Sequence, residues 1–284
     1  MGSDIVDKKK SIAVIAWNGV HQPCAFINFD TRAAFTILLF NYSGNGRVPP
    51  ASDVYYYDLL LNKRTEFKGH LLRELYAYLK DNDSYEYIGI IDDDIRMKIS
   101  DINQMLGIAE ANQLDAFQPS LTHDSYHSFQ FNLHQPGVEL LPAPWVEIMC
   151  PFYRKQLFDA CYPLCEHNIS SYGIDKYAIP FYQQLLNMKR TAVIHAVQIT
   201  HLKAVTDGDK RFSNGLTARQ EGERLRKTIY RLAHAEYSGV FTEKIMAAYF
   251  ADKRGVLDKF ILRRVSGRDS AFSIPKQTFV YWSC

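Results

Sequence analysis

Asp92, Asp93 and Asp94 form the grouping in this 284-residue chain that is hardest to explain without chemistry. They follow the apolar run Tyr87–Ile91 (YIGII) with no spacer. Adjacent carboxylates repel and raise one another's pKa unless a cation or a set of donors neutralises them. Alternate side chains of an extended segment point the same way, which predicts that Asp92 and Asp94 converge. Two convergent hard oxygen ligands suit Mg²⁺ or Mn²⁺, with a bound diphosphate completing the shell. The plain alternative is a solvated acidic turn or a helix N-cap. A solvated turn has no need of a buried strand before it, whereas an active site at a strand end does.

Other residues could serve such a site. Glu147 sits inside the apolar stretch WVEIM, where a carboxylate must have a partner, catalytic or structural. Asp175 follows Gly173 at an apparent loop-to-helix junction. It is either a general base or a helix cap contributing ~1 kcal/mol. Trp145 could stack on a bound ligand of the acceptor side, although core packing is the commoner use of tryptophan. Lys68, near the start of an expected helix, is a candidate to meet a diphosphate or the base. His123 and Asp124, with Tyr126 and His127, lie in a polar loop after FQPSL. They suit acceptor binding or a lid at least as well as a metal.

The elements that must position these residues are legible as changes of period. Ser11–Trp17, Phe35–Asn41, Asp53–Leu61, Tyr87–Ile91, Asp115–Gln118, Trp145–Phe152 and Thr191–Ile199 read as strands. Leu72, Leu75, Tyr76 and Leu79 share a helical face, so a helix is expected from Thr65, its N-cap, to about Lys80. Further helices are expected over Asp101–Asn112, Lys155–Cys165 and Lys176–Leu186. Strands alternating with helices argue for an α/β fold with a mostly parallel central sheet. In such sheets ligands bind beyond the carboxyl ends of the strands, which is where the three aspartates fall.

Composition excludes more than it selects. With 47% hydrophobic, 23% charged and 13% aromatic residues, the chain is neither disordered, collagen-like nor a coiled coil. Its five cysteines support neither a disulfide framework nor a zinc knuckle. No leader-like or membrane-length apolar run is seen, so a cytoplasmic protein is expected. The formal net charge of +2 hides an asymmetry: Arg219–Arg268 carries 12 basic and 6 acidic residues. Two units are therefore expected, a catalytic domain over 1–215 and a basic helical extension over 216–284. In the extension Leu225, Ile229 and Leu232 mark one helix, and Val256–Val265 a second. Lys253, Arg254, Lys259, Arg263 and Arg264 alternate there with Leu257, Phe260 and Ile261. Such a face suits peripheral contact with an anionic membrane; without aromatic platforms or an Arg-rich run, nucleic acid ranks lower.

The blocks ILLFNYSG, FKGHLLRELY, YEYIGIIDDDIRM, FQPSL, WVEIMCPFYRKQLF and SYGIDKYAIPF, in that order, resemble the domain-of-unknown-function 707 family. That family is itself viewed as glycosyltransferase-like, with the GT-A nucleotide-sugar fold, and the resemblance covers roughly Ile12 to Val205. Two departures stand out. Gly19–Arg32 is too short and polar for the helix expected there, and Asp93 stands where the family tends to have glutamate.

The resemblance implies a GT-A-like, Rossmann-like sheet flanked by helices. It also implies an enzyme that moves a sugar from a nucleotide-sugar donor, a UDP-sugar first, to a hydroxyl of a glycan or lipid-linked glycan. By the same resemblance Asp92 and Asp94 match the metal–diphosphate motif, Asp94 more directly, and Asp93 leans toward the donor ribose or sugar. His201 then completes the shell of Mn²⁺ or Mg²⁺, with His195 competing, and Trp17 and Asn18 lie where the nucleotide base rests. Asp175 matches the family's Gly-x-Asp block and is the first candidate base, Glu147 the second. The alternatives are a transferase acting on nucleic-acid bases, a glycoside hydrolase, and a non-catalytic sugar-nucleotide-binding module.

Overall fold

A computed structural model describes residues 9–204 and 209–241. The expected helix Val256–Val265 and the basic residues Lys253, Arg254, Lys259, Arg263 and Arg264 lie outside them. The described chain forms a sheet of ten strands flanked by helices. The strands are β1 Ser11–Trp17, β2 Ile27–Asn28, β3 Thr36–Asn41, β4 Leu59–Asn62, β5 Tyr87–Ile91, β6 Ile95–Lys98, β7 Ala116–Leu121, β8 Leu140–Pro142, β9 Phe152–Arg154 and β10 Thr191–His201. Their order is β2-β6-β10-β7-β9-β5-β1-β3-β4, with β8 also pairing β10. The half β5-β1-β3-β4 is parallel, as is the pair β7 and β10, whereas the short β9 joins β5 to β7 antiparallel to both.

Alternation along the strands builds a core on each face of the sheet. Ile12, Val14 and Ala16 of β1 pack with Leu38, Phe40, Ile88 and Ile90 on one side. Ala13, Ile15 and Trp17 pack with Ile37, Leu39, Tyr87 and Ile91 on the other. The first face is covered by α1 Lys68–Leu79, α3 Lys155–Cys165, α4 Ile179–Leu185 and α5 Ala218–Ala235, and the second by α2 Ile99–Asn112. Helix α5, the first element of the expected extension, gives Leu225, Ile229 and Ala233 to the first core.

Three element expectations need correcting. The expected strand Asp53–Leu61 contracts to Leu59–Asn62, because Asp58 turns back and its carboxylate accepts from Ile37 N at 2.8 Å. The expected strand Trp145–Phe152 is irregular up to Pro151 and becomes a strand only at Phe152–Arg154. Pro151 has no N–H for a ladder, and Met149 and Pro151 instead offer carbonyls to Asp92 N and Ile90 N. Helix α1 begins at Lys68 after Phe67, so Thr65 is not its N-cap. Gly19–Arg32 forms turns and the short β2 rather than a helix, as its length and polarity suggest.

The first turn of helix α1 lies against the loop at Asn168 and Ile169, an approach that the glycine at its second position allows. A Cβ at Gly69 would lie 1.9 Å from Asn168 O. That close approach lets Gly69 N donate to Ile169 O at 2.9 Å, and it aims Lys68 at the carboxyl end of β5.

A candidate active site at the carboxyl end of strand β5

The three aspartates lie in a turn between β5 and β6, closed by Ile95 N donating to Asp92 O at 3.3 Å. Alternation therefore does not hold, and in place of the expected convergence of Asp92 and Asp94 each carboxylate meets its own set of neighbours, with Lys203 near both Asp93 and Asp94. Asp92 Oδ1 meets Lys68 Nζ at 2.6 Å, and that ammonium also donates to Ile148 O. Burial pushes the Asp92 carboxyl up, with the lysine opposing the shift. Asp93 Oδ2 accepts from the Tyr42 hydroxyl at 2.7 Å, and Asp93 Oδ1 lies 3.5 Å from Lys203 Nζ. Burial, then Asp93 itself, raises the pKa of Tyr42 and keeps it a donor.

Asp94 is the least committed of the three. Its Oδ2 is 3.9 Å from Lys203 Nζ, while its buried Oδ1 has no hydrogen-bond partner among the described residues. That oxygen lies 3.7 Å from His201 Nε2. The sheet causes this meeting: β6 pairs antiparallel with β10, placing Ile95 opposite His201, and Leu202 N donates to Asp94 O. His201 Nδ1 lies 2.9 Å from Tyr126 O and donates to it, which leaves Nε2 facing Asp94. This is how a ligating histidine is commonly oriented by an outer partner.

No group of three His, Cys, Asp or Glu side chains able to hold a metal occurs among the described residues. Mg²⁺ and Mn²⁺ sites that also bind substrate phosphates need fewer: one or two carboxylates, with phosphate and water filling the remainder. An unpartnered carboxylate oxygen 3.7 Å from an imidazole nitrogen fits that smaller set. His195, the competing histidine, points elsewhere. It is 1% exposed, its Nδ1 accepts from Gln135 N, and burial lowers its pKa to about 4.

The two base candidates are brought together. Glu147 is buried and accepts from Asn132 Nδ2 at 2.8 Å, while its backbone N–H donates to Gln118 Oε1. Burial, and secondarily the Asp175 carboxylate, push Glu147 up to about 7, although Asn132, Lys176 and Ser128 oppose the shift. Asp175 occupies a π-helical turn, Ile174–Ala178, entered through Gly173 at φ +88°. Such turns are common at functional sites. Burial raises the Asp175 pKa, while Lys176 and the amides of Lys176 and Ile148 favour the ionised form. The Lys176 N–H donates to Asp175 Oδ1 at 2.9 Å, so the cap-like bond exists beside whatever else the carboxylate does. The Ile148 peptide thus has Lys68 and Asp92 at its carbonyl and Asp175 at its amide.

The remaining expected site residues spread around this centre. Trp17 is buried and donates to His21 O at 2.8 Å, while Asn18 Oδ1 accepts from Val20 N and His21 N. Trp145 is 1% exposed and packs edge-on against Phe129 and Phe131. His123 and Asp124 are exposed, with Thr122 lowering the Asp124 pKa through a hydrogen bond. Their loop nevertheless spans the site, with Tyr126 holding His201, Ser128 reaching Glu147 and Phe129 lying 4.5 Å from Lys176 Nζ. Sequence reasoning missed Tyr42, Lys176 and Lys203. Tyr42 could have been found as the residue directly after a buried strand; Lys203 offers no comparable signal.

No family model and no curated protein matches the chain. Solved structures do. S. aureus TarS 1–349 in complex with UDP-GlcNAc aligns with a TM-score of 0.50 and 12% identity, over 89% of this chain and 76% of that one. The same TarS segment in complex with UDP gives 0.48 and 12%, over 86% and 71%. A longer TarS structure gives 0.48 and 12%, over 89% of this chain but only 46% of its own length. At this identity the likeness is one of fold, and the expected GT-A-like α/β architecture is borne out. Among the described residues no helix is long and apolar enough to cross a membrane.

Proposed function

We propose that the protein is a metal-dependent glycosyltransferase that moves a sugar from a nucleotide-sugar donor to an acceptor hydroxyl. The observation that carries the reading is the uncommitted Asp94 Oδ1 facing His201 Nε2 at the carboxyl end of β5. The Glu147–Asp175 pair lies on the other side of the Lys68–Ile148 link. The fold shared with a TarS structure that holds UDP-GlcNAc supports a UDP-sugar as the first donor to try.

Asp94 and His201 would hold Mn²⁺ or Mg²⁺, with Asp93 beside them. Bound there, the cation would offset charge on the leaving diphosphate. Lys68 keeps Asp92 neutralised and fixes the Ile148 peptide. In an inverting transfer, Glu147 or Asp175 takes the acceptor's hydroxyl proton as its oxygen bonds to the anomeric carbon. The bond from that carbon to the diphosphate oxygen breaks. A base near pKa 7 serves such a step at neutral pH, and Glu147 lies there. A glycan or lipid-linked glycan is the acceptor class we propose.

Thermal-shift measurements with Mn²⁺, EDTA and a panel of nucleoside diphosphates test this directly. One diphosphate should stabilise the protein only when the metal is present, and Asp94→Ala should abolish that gain. Asp175→Asn should still bind but no longer transfer. Binding of free glycan with no metal or nucleotide effect would overturn the reading in favour of a hydrolase or a binding module.

A further inference from the structure

Two lysines face the aspartate turn, and they are built differently. Lys68 is 9% exposed, held between Asp92 and Ile148 O, and anchored at the start of a helix by the Gly69 contact. Lys203 is 60% exposed and reaches Asp93 at 3.5 Å and Asp94 at 3.9 Å, the looser distances of an ammonium lying over two carboxylates. Asp94 is also the carboxylate that faces His201, at 3.7 Å, and Asp93 adjoins it in the turn, so Lys203 lies over the face that a divalent cation would use.

We propose that Lys203 is an exchangeable internal cation. It screens Asp93 and Asp94 in the donor-free protein, then gives way to the metal and turns its ammonium to the incoming diphosphate. The inference rests on the metal-and-diphosphate reading above and deepens it. The charges make the exchange favourable only when both ligands arrive. A divalent ion alone must displace a cation that already screens the carboxylates. A metal with a diphosphate supplies an anion for the displaced ammonium to meet. Free metal is then bound weakly and the metal–nucleotide pair strongly, so an empty site does not fill with metal alone. The long exposed side chain can swing away, whereas Lys68 cannot without breaking its two part-buried contacts.

Full-length protein and Lys203→Met, which keeps the stem and removes the charge, distinguish the possibilities. Mn²⁺ binding is read by loss of the free-ion electron paramagnetic resonance signal. Nucleotide binding is read by calorimetry, using the diphosphate that stabilises the wild type most in the panel above. Removing a unit charge about 4 Å from the site should tighten free Mn²⁺ on the order of tenfold at low salt. The same change should weaken the diphosphate in saturating Mn²⁺ on the order of tenfold. Lys203→Arg should restore both values. If the wild type binds metal and nucleotide but either affinity is unchanged in Lys203→Met, the exchange is wrong while the site reading stands. If the wild type binds neither, the site reading itself fails, and the exchange with it.

Discussion

Glu147 shows how the burial of a single carboxylate carries a cost that depends on pH. Its ordinary carboxyl value is 4.5, and burial with Asp175 nearby brings it to about 7 in the folded protein. A folded pKa above the unfolded one means that the native state binds the proton more tightly. The associated stability is fully present below about pH 4.5 and is lost as pH rises through about 7. Such a shift corresponds to roughly 3 kcal/mol at alkaline pH. Glu147→Gln keeps the acceptor for Asn132 and removes the ionisation. It should therefore raise the melting temperature relative to wild type by several degrees at pH 8 and by little at pH 4.5, as followed by circular dichroism. The wild-type transfer rate should show an acidic limb near pH 7. Equal stabilisation at both pH values would mean that packing, not charge, is the cause.

The aspartates were legible because three adjacent carboxylates after a buried strand need a reason, whatever the fold. Their partners were not. Tyr42 is 51 positions from Asp93 and Lys203 is 110, and tyrosine or lysine at those places is ordinary surface composition until the sheet brings them near. Glu147 and Asp175 were each visible as carboxylates in need of partners, but their mutual influence arises only when the π-helical turn meets the Ile148 peptide.

At the scale of elements, strands with clean alternation or continuous burial were readable, and the segments that make the site were not. Trp145–Pro151 has strand-like composition, yet its side chains pack individually, with Trp145 among phenylalanines and Glu147 among amides, while its carbonyls serve the end of β5. Propensity cannot signal such use. A second unreadable device is the tie between α5 and the loop before the π-helical turn. Glu221, 3% exposed, accepts from Ser170 N at 2.7 Å, Ile169 N at 3.0 Å and Asn214 Nδ2 at 2.7 Å. The same loop holds Gly69 through Ile169 O and leads into Asp175. Helix α5 therefore braces Lys68 and Asp175 together. Glu221→Gln turns one acceptor into a donor facing an amide, at a cost of about 1–3 kcal/mol. Urea unfolding should show that loss, and turnover should fall further than the unfolded fraction explains. Turnover that merely tracks the folded fraction would limit Glu221 to holding the fold.

At the scale of the whole molecule the charge is unevenly placed. Residues 242–284 carry eight basic and four acidic residues, so the rest of the chain is slightly acidic although the total is +2. If the expected helix Val256–Val265, with Lys253 and Arg254 just before it, places those residues and Lys259, Arg263 and Arg264 beside Leu257, Phe260 and Ile261, the attraction to an anionic surface is worth about 1 kcal/mol per basic residue near the lipid. Five such charges are enough for measurable binding at low ionic strength, and screening should remove most of it in high salt. Full-length protein should then sediment with phosphatidylglycerol vesicles and not with phosphatidylcholine vesicles. The variant with all five basic residues changed to glutamine should stay in the supernatant while keeping the metal-dependent thermal shift. A lipid-linked acceptor would be met at such a surface, so vesicles should raise turnover on it without changing the affinity for the nucleotide. Equal sedimentation of the wild type and the five-fold variant would remove these five basic residues from any role in membrane contact.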